Sequence, residues 1–164
     1  MAKKVFYDDD ARARVLGGAE ALYNAVKVTY GPKGRNVVIA KGFGGPTVTH
    51  DGVTVAEGIE LPENDDEMLG YKVGADLIKQ AAKNLNKQAG DGTTTVTVLT
   101  YSILKEANRL IAAGHNPMEL RKDIEQAGAE IVKELNKLAE PIEGKSERVA
   151  EVATISAGDA EIGK

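Results

Sequence analysis

Apolar residues recur every three to four positions over long segments of the chain, which predicts helices over most of its length. A first helix is expected to be capped by Asp10 and to stop before Gly31-Pro32. Its apolar stripe consists of Val15, Ala19, Leu22 and Val26, with Leu16, Tyr23 and Tyr30 beside it. The β-type run RNVVIAK (35–41) and the alternating TVTH (47–50) predict a β-hairpin that turns at GFGGP.

Five further helices are predicted after the hairpin. A short one over VTVAEGIEL precedes a polar, acidic loop, PENDDE (62–67). Two long ones flank Gly90-Asp91-Gly92, and the second ends at Gly114. Their expected core positions are Val73, Leu77, Ile78, Ala81, Ala82 and Leu85 in the first and Val96, Leu99, Ile103, Leu110 and Ile111 in the second. Asn116-Pro117 opens a fourth helix that Pro141 closes, and Ser146 caps a last short one. The predicted fold is therefore mainly α, with one small hairpin and a linker near 139–146.

Composition narrows the class of protein. The chain has 164 residues, of which 42% are apolar but only 4% aromatic, so its core is expected to consist of Val, Leu, Ile and Ala. A net charge of −4 gives no support for a nucleic-acid surface. The absence of cysteine excludes disulfides and thiolate chemistry, and two histidines, His50 and His115, cannot build a metal cluster. The sequence shows no apolar stretch typical of a signal peptide or of a membrane helix, so we expect a soluble, intracellular protein.

Glycine clusters at three junctions between predicted elements: VTYGPKG (28–34), THDGVT (49–54) and AGDGTTT (89–95). The helix that follows Gly92 begins with N–H groups that lack an intrahelical partner, and such a helix start attracts phosphate. The hydroxyls of Thr93–Thr95 add donors there. Asp91 is placed to hold Mg²⁺ through oxygen, and Asp51 is a second carboxylate that could face the same phosphates and position or activate water.

Each stretch also has a purely structural interpretation. Gly90-Asp91-Gly92 with Thr93 can be an inter-helix turn, Asp51-Gly52 a tight turn, and Gly31-Pro32 a helix stop. His50 is then a residue at the end of the hairpin. The chain has no GxxxxGK[ST] loop, no GxGxxG and no Ser-His-Asp arrangement. From the residues alone, a nucleotide-phosphate site in a helical domain and a set of structural turns both stay open.

The three glycine stretches, taken together and in this order, resemble the N-terminal part of a group I chaperonin subunit, of the GroEL type. The matching segments extend over essentially the whole chain: AVKVTYGPKGRNVVIAKGFGGPTVTHDGVTVAEGIEL, AGDGTTTVTVL, AAGHNPMELRKDIEQA and ATISA. The resemblance implies an ATP-driven folding machine, a cytoplasmic ATPase built of stacked seven-membered rings. Its implied partners are further copies of the subunit, a co-chaperonin lid and unfolded polypeptide clients; neither nucleic acid nor a membrane is expected.

The same resemblance implies the cofactors ATP, Mg²⁺ and K⁺ and the residues that bind them. The nucleotide-contacting residues would be Thr29, Tyr30, Gly31 and Pro32, then His50 and Asp51, then Asp91, Gly92, Thr93, Thr94 and Thr95, and finally Ile155 and Ser156 of the intermediate-domain segment. In this assignment Asp91 holds Mg²⁺, and Asp51, the catalytic candidate, lies near the γ-phosphate. Oxygen atoms near Thr29, His50 and Thr94 bind K⁺.

The implied domains are an equatorial ATP-binding part over 1–138 and the start of the intermediate, hinge-like domain over 139–164. The apical domain and the C-terminal half of the equatorial domain are missing, so we expect this segment alone to be poorly folded or aggregation-prone and not to hydrolyse ATP. Two features depart from the family pattern. His50 stands where lysine is common, and the loop PENDDEMLGYKV is a few residues longer than usual.

Two functions from different classes follow. The first is a chaperonin ATPase, and the second is a non-enzymatic helical interaction module that keeps the glycine loops as structural turns. The joint presence of Asp51, Asp91 and Thr93–Thr95 favours the first, because a module without a nucleotide has no need for carboxylates and hydroxyls beside glycine loops.

Overall fold

The computed structural model describes residues 4–41, 44–61, 68–157 and 159–163. In this part of the chain the fold is mainly α with a two-stranded antiparallel sheet, as predicted. The helices are α1 (Asp8–Val26), α2 (Gly52–Gly58), α3 (Tyr71–Ala89), α4 (Thr93–Ala112), α5 (Pro117–Leu138) and α6 (Ser146–Ala157). A 3₁₀ turn, Lys27–Thr29, follows α1, and β1 (Val37–Ile39) and β2 (Thr47–Thr49) form the hairpin with Val38 opposite Val48. Among the described residues, no helix combines the length and the apolar character that a membrane crossing requires.

The chain divides into two compact units, Met1–Pro117 and Met118–Lys164. The second unit contains α6 and nearly all of α5. The exposed sides of these helices carry ion pairs one turn apart, such as Arg121 with Glu125 at 2.9 Å and Lys133 with Glu130 at 2.7 Å. Such pairs add only a few tenths of a kcal/mol each (about 0.3–0.5) to helix stability. The first unit contains α1 to α4 and the hairpin, and it holds the core.

The core lies where α1 packs against both α3 and α4, with α2 closing one side. Its buried residues are mostly small or aliphatic, as the composition predicts: Ala19, Leu22, Val26, Val55, Ala56, Ala75, Ile78 and Tyr101. Burial of Ala19, Leu22 and Val26 confirms the predicted stripe of the first helix. Burial of Ile78 and Ala82 confirms part of the stripe of α3.

Glycines allow α1 and α3 to approach backbone to backbone. A Cβ atom on Gly18 would overlap the carbonyl group of Tyr71, and a Cβ on Gly74 would overlap the carbonyl group of Val15. Gly17 in turn lies against the Tyr71 ring. Because these overlaps involve backbone atoms, a larger residue could fit only if the two helices moved apart.

The inner face of α4 is polar and aromatic. Thr93, Thr97 and Tyr101, spaced by four residues, are its buried positions, and Leu104 packs against the core beside them. The Thr97 hydroxyl donates to the Thr93 carbonyl at 2.9 Å, and the Tyr101 hydroxyl donates to Glu20 Oε1 of α1 at 2.7 Å. Burial, together with the hydrogen bond and the negative charge of Glu20, raises the pKa of Tyr101 to about 12.

This arrangement corrects several predicted core positions. Leu99 and Ile103 are about half exposed, as are Val73 and Leu77 of α3. In α4 the inner face belongs to Thr97 and Tyr101, whose hydroxyls find internal acceptors. In α3 the buried positions are Gly74, Ala75, Ile78 and Ala82, and at position 74 only glycine fits against the backbone of α1.

The start of α1 is a further correction. The cap position is Tyr7, with no capping side chain, and Asp10 lies inside the helix, where it accepts from Arg14 Nε at 3.0 Å. The helix also ends at Val26, and the 3₁₀ turn carries the chain towards Gly31-Pro32. Other predicted elements are confirmed, and most of their ends lie within one to three residues of the predicted ends. These elements are the two hairpin strands, α2, and the helices that begin at Pro117 and Ser146. The predicted PENDDE loop at 62–67 lies outside the described residues.

Replacing Gly18 by alanine is expected to lower the free energy of unfolding by about 1–3 kcal/mol, because the added methyl group overpacks the contact with α3. Urea unfolding of the full-length protein measures the change. Gly128→Ala is the control: Gly128 lies in α5 with nothing near its Cβ position, so this variant should gain about 0.5–1 kcal/mol from helix propensity. Equal stability of the Gly18 variant and the parent protein would refute the close crossing.

Candidate functional site

The turn between α3 and α4 depends on two glycines on either side of Asp91. Gly90 and Gly92 have φ of 71° and 79°, in the left-handed region that residues with a Cβ atom rarely adopt. The Gly90 N–H donates to the Asn86 carbonyl at 2.9 Å and so closes α3. Gly92 occupies the cap position of α4 and brings no side chain to it. The first-turn N–H groups of α4, on Thr93, Thr94 and Thr95, therefore have no capping side chain as acceptor.

Asp91 is exposed at this turn. Its Oδ1 accepts from the Gly92 N–H at 2.6 Å, and none of the described residues donates to its Oδ2. Nor does the described part of the chain bring three or more His, Cys, Asp or Glu residues together into a metal site. Magnesium suits such a position, because it binds through one or two carboxylates and takes its other ligands from water and phosphate oxygens.

Asp51, in the second glycine stretch, is the N-cap of α2. Its Oδ2 accepts from the Thr54 N–H at 2.8 Å and the Thr54 hydroxyl at 2.6 Å, and its Oδ1 accepts from the Val53 N–H at 3.4 Å. Burial acts to raise the pKa of Asp51, but these hydrogen bonds from Thr54 and Val53, with the nearby His50, outweigh it and lower the pKa below 3.8. The carboxylate is therefore ionised at neutral pH and already engaged in a local structural role.

The second and third stretches meet directly. Gly52, the first residue of α2, lies so close to Thr94 that a Cβ on the glycine would overlap the Thr94 hydroxyl. Thr93 is buried at the same helix start, and Thr95 is exposed. The start of α2 and the start of α4 therefore lie side by side, with Asp51 and Asp91 each one residue before a glycine at a helix start.

The first stretch overlaps the 3₁₀ turn, which packs against α4. The Thr29 hydroxyl donates to the Val26 carbonyl at 2.8 Å, and the Gly34 N–H donates to the Gly31 carbonyl at 2.9 Å. Gly31 has a φ of 75°, and Tyr30 is about half exposed. This stretch is thus a hydrogen-bonded loop with an exposed aromatic ring.

Of the residues predicted for the site, those of the three glycine stretches all lie in the first unit. His50 is exposed and precedes Asp51 at the end of β2. Ile155 and Ser156 lie on α6 in the second unit, and Ile155 is exposed. Gly52 was not among the predicted site residues. A sequence signal for Gly52 does exist. This glycine follows a capping aspartate directly, at a helical position where glycine lowers helix stability relative to alanine, so its presence there indicates a close contact.

Comparison with known proteins identifies the family to which this chain belongs. A sequence model of the TCP-1/cpn60 chaperonin family matches residues 22–162. The chain belongs to this chaperonin family. The match begins at Leu22, inside α1, and includes all three glycine stretches and α6, so the parts of this chaperonin chain that form the candidate site lie within the shared region.

Replacing Asp51 by alanine is expected to lower the free energy of unfolding at neutral pH by about 1 kcal/mol, because α2 loses its cap. A lowered pKa in the folded state stabilises the protein above the ordinary pKa of 3.8, and this contribution disappears as the pH falls through the lower folded value. The difference in the free energy of unfolding between the full-length parent and variant, measured with urea, should therefore shrink below pH 3.8. Asp51→Asn, which keeps an acceptor but no charge, is the control. A parent–alanine difference that stays constant with pH would contradict the assignment.

Proposed function

We propose that this chaperonin chain is part of a group I, GroEL-type subunit that binds ATP with Mg²⁺ and K⁺ and couples ATP hydrolysis to the refolding of non-native polypeptides. The observation that carries the proposal is the start of α4. It has no capping side chain, and Gly52 and the 3₁₀ turn pack against the same helix.

The phosphates are proposed to bind at the first turn of α4. The N–H groups of Thr93–Thr95 and the partial positive charge of the helix start attract an anion, and Gly92 at the cap position brings no side chain that would compete for these N–H groups. Hydroxyl groups at the same turn are additional donors. The contrast with α2, whose start is already capped by Asp51, supports α4 as the phosphate-binding helix.

The residues present fit the proposed cations. Asp91 offers its Oδ2 to Mg²⁺, and the remaining ligands would be phosphate and water oxygens. Oxygen atoms near Thr29, His50 and Thr94 are proposed for K⁺. Bound Mg²⁺ would neutralise charge on the phosphates.

Asp51 is proposed to orient groups near the γ-phosphate. A carboxylate with a lowered pKa is a weak proton acceptor, and both oxygens of Asp51 accept hydrogen bonds from α2. These facts favour a role in alignment and charge over a role as a general base. At position 50, where lysine is common in the family, we propose that His50 contributes its backbone oxygen to the K⁺ site.

The remaining assignments extend the same proposal. Thr29, Tyr30, Gly31 and Pro32 would contact the nucleotide, and Ile155 and Ser156 would approach it from a hinge segment. Residues 1–138 would belong to the equatorial domain and 139–164 to the intermediate domain. The complete subunit would form stacked, seven-membered rings that work with a co-chaperonin lid in the cytoplasm. The inactivity of the 164-residue segment alone stays a prediction.

In the full-length protein, Asp91→Asn is expected to weaken Mg-ATP binding by about tenfold or more, which corresponds to about 1.4 kcal/mol. The amide still accepts the Gly92 N–H, so the turn is kept while the charge that holds Mg²⁺ is lost. Calorimetric titration with ATP, with Mg²⁺ and with EDTA, measures the effect, which should disappear in EDTA.

Asp9→Asn is the matched control, because Asp9 is an exposed carboxylate at the opposite end of α1 from the 3₁₀ turn. It should bind Mg-ATP like the parent protein. Unchanged Mg-ATP binding in the Asp91 variant, or no binding by the parent protein, would refute the proposal and favour the interaction module with structural turns.

A further inference from the structure

Two tyrosine rings join α1 to α4 one to two turns away from the glycine loops. Tyr23 and Tyr101 are stacked, with ring centroids 4.3 Å apart and planes inclined by 21°. Tyr101 is only 4% exposed, although it carries a hydroxyl group. Aromatic pairs of this kind are rigid contacts, because each ring has only two rotatable side-chain bonds and a preferred relative geometry.

Polar contacts fix each ring further. The Tyr101 hydroxyl donates to Glu20 Oε1 at 2.7 Å, which ties α4 to α1 a second time. The ammonium group of Lys27 lies 4.7 Å from the centroid of Tyr23, and that of Lys105 lies 5.9 Å from the centroid of Tyr101. Lys27 also donates to Asn24 Oδ1 at 2.7 Å, so the first residue of the 3₁₀ turn is held against the stack.

Each ring stands at a fixed distance along its helix from one glycine loop. Tyr101 is two turns after Thr93 on the same buried face of α4, with Thr97 between them. Tyr23 is one turn before Lys27, where the 3₁₀ turn leads to Thr29. Helices transmit small displacements along their axes as rigid rods, so a change at the stack moves the start of α4 relative to the 3₁₀ turn.

We propose that Tyr23 and Tyr101 are positioning residues, which hold the start of α4 and the loop at Thr29–Pro32 in the relative placement that nucleotide binding requires. The inference rests on the proposed function, since it assigns these residues to the same ATP site. Neither ring belongs to the glycine stretches, and neither is among the residues assigned to contact the nucleotide. Their effect on binding is therefore transmitted through the backbones of α1 and α4.

The test compares two replacements of Tyr101 in the full-length protein. Tyr101→Phe keeps the stack and loses the hydrogen bond to Glu20, whereas Tyr101→Leu loses both. We expect the Kd for Mg-ATP, measured by calorimetric titration, to rise about tenfold in the leucine variant and less than about threefold in the phenylalanine variant, because binding depends on sub-ångström placement of the loops.

A stability-matched control separates positioning from general loss of structure. Leu61 packs against the core from the segment after α2, and it lies on neither α1 nor α4. The Leu61 variant (Val or Ala) whose melting temperature is closest to that of Tyr101→Leu is used. It should bind Mg-ATP like the parent protein. If Tyr101→Leu shows no cooperative melting, Tyr23→Leu takes its place with the same expected rise in Kd.

Equal Kd values for Tyr101→Leu and the Leu61 variant would overturn the positioning role while leaving the ATP site intact. A parent protein that does not bind Mg-ATP would overturn the proposed function, and this inference with it. Weak binding by the leucine variant alone, with recovery in the phenylalanine variant, supports the proposal.

Discussion

The backbone contact between α1 and α3 is the constraint on which the rest of the first unit depends. Gly18 and Gly74 each face a carbonyl group of the other helix, so the two helices can lie closer than side chains would permit. With α1 fixed in this way, it also presents Tyr23 to α4, where the ring stacks on Tyr101. The three glycine stretches are attached to the ends of these packed helices and of α2. Helix packing therefore brings the second and third stretches into contact and places the 3₁₀ turn of the first against α4.

The starts of α2 and α4 show how similar sequence patterns produce different local chemistry. An Asp-Gly pair stands at the start of both helices, yet Asp51 caps α2, whereas Asp91 precedes a left-handed Gly92 and leaves the first turn of α4 without a capping side chain. The difference arises because Gly92 occupies the cap position itself, which displaces the aspartate by one residue. A capped start and an uncapped start thus stand side by side, joined by the contact of Gly52 with Thr94.

The elements with strong local signals could be predicted from the sequence. Asn116-Pro117 and the alternation around Val38 and Val48 locate α5 and the hairpin, because capping and strand periodicity are properties of neighbouring residues. The buried face of α4 could not be predicted, because hydrophobicity ranks Leu99 above Thr97 while the packing favours the residue whose hydroxyl has an internal acceptor. The roles of Gly18, Gly52 and Gly74 depend on a second helix that the sequence does not place. The family resemblance identified the three glycine stretches together. The stacking of Tyr23 on Tyr101 could not be predicted, because no pattern of neighbouring residues indicates it.

The most direct test of the central claim is residue-resolved amide hydrogen exchange in the full-length protein, with and without Mg-ATP. The account predicts slower exchange of the N–H groups of Thr93–Thr95 when nucleotide is bound, because the phosphates become their acceptors. Slower exchange should also appear at 29–31 and 51–53, since these stretches pack against the same helix. Protection confined to other parts of the chain, with the start of α4 unchanged, would contradict it.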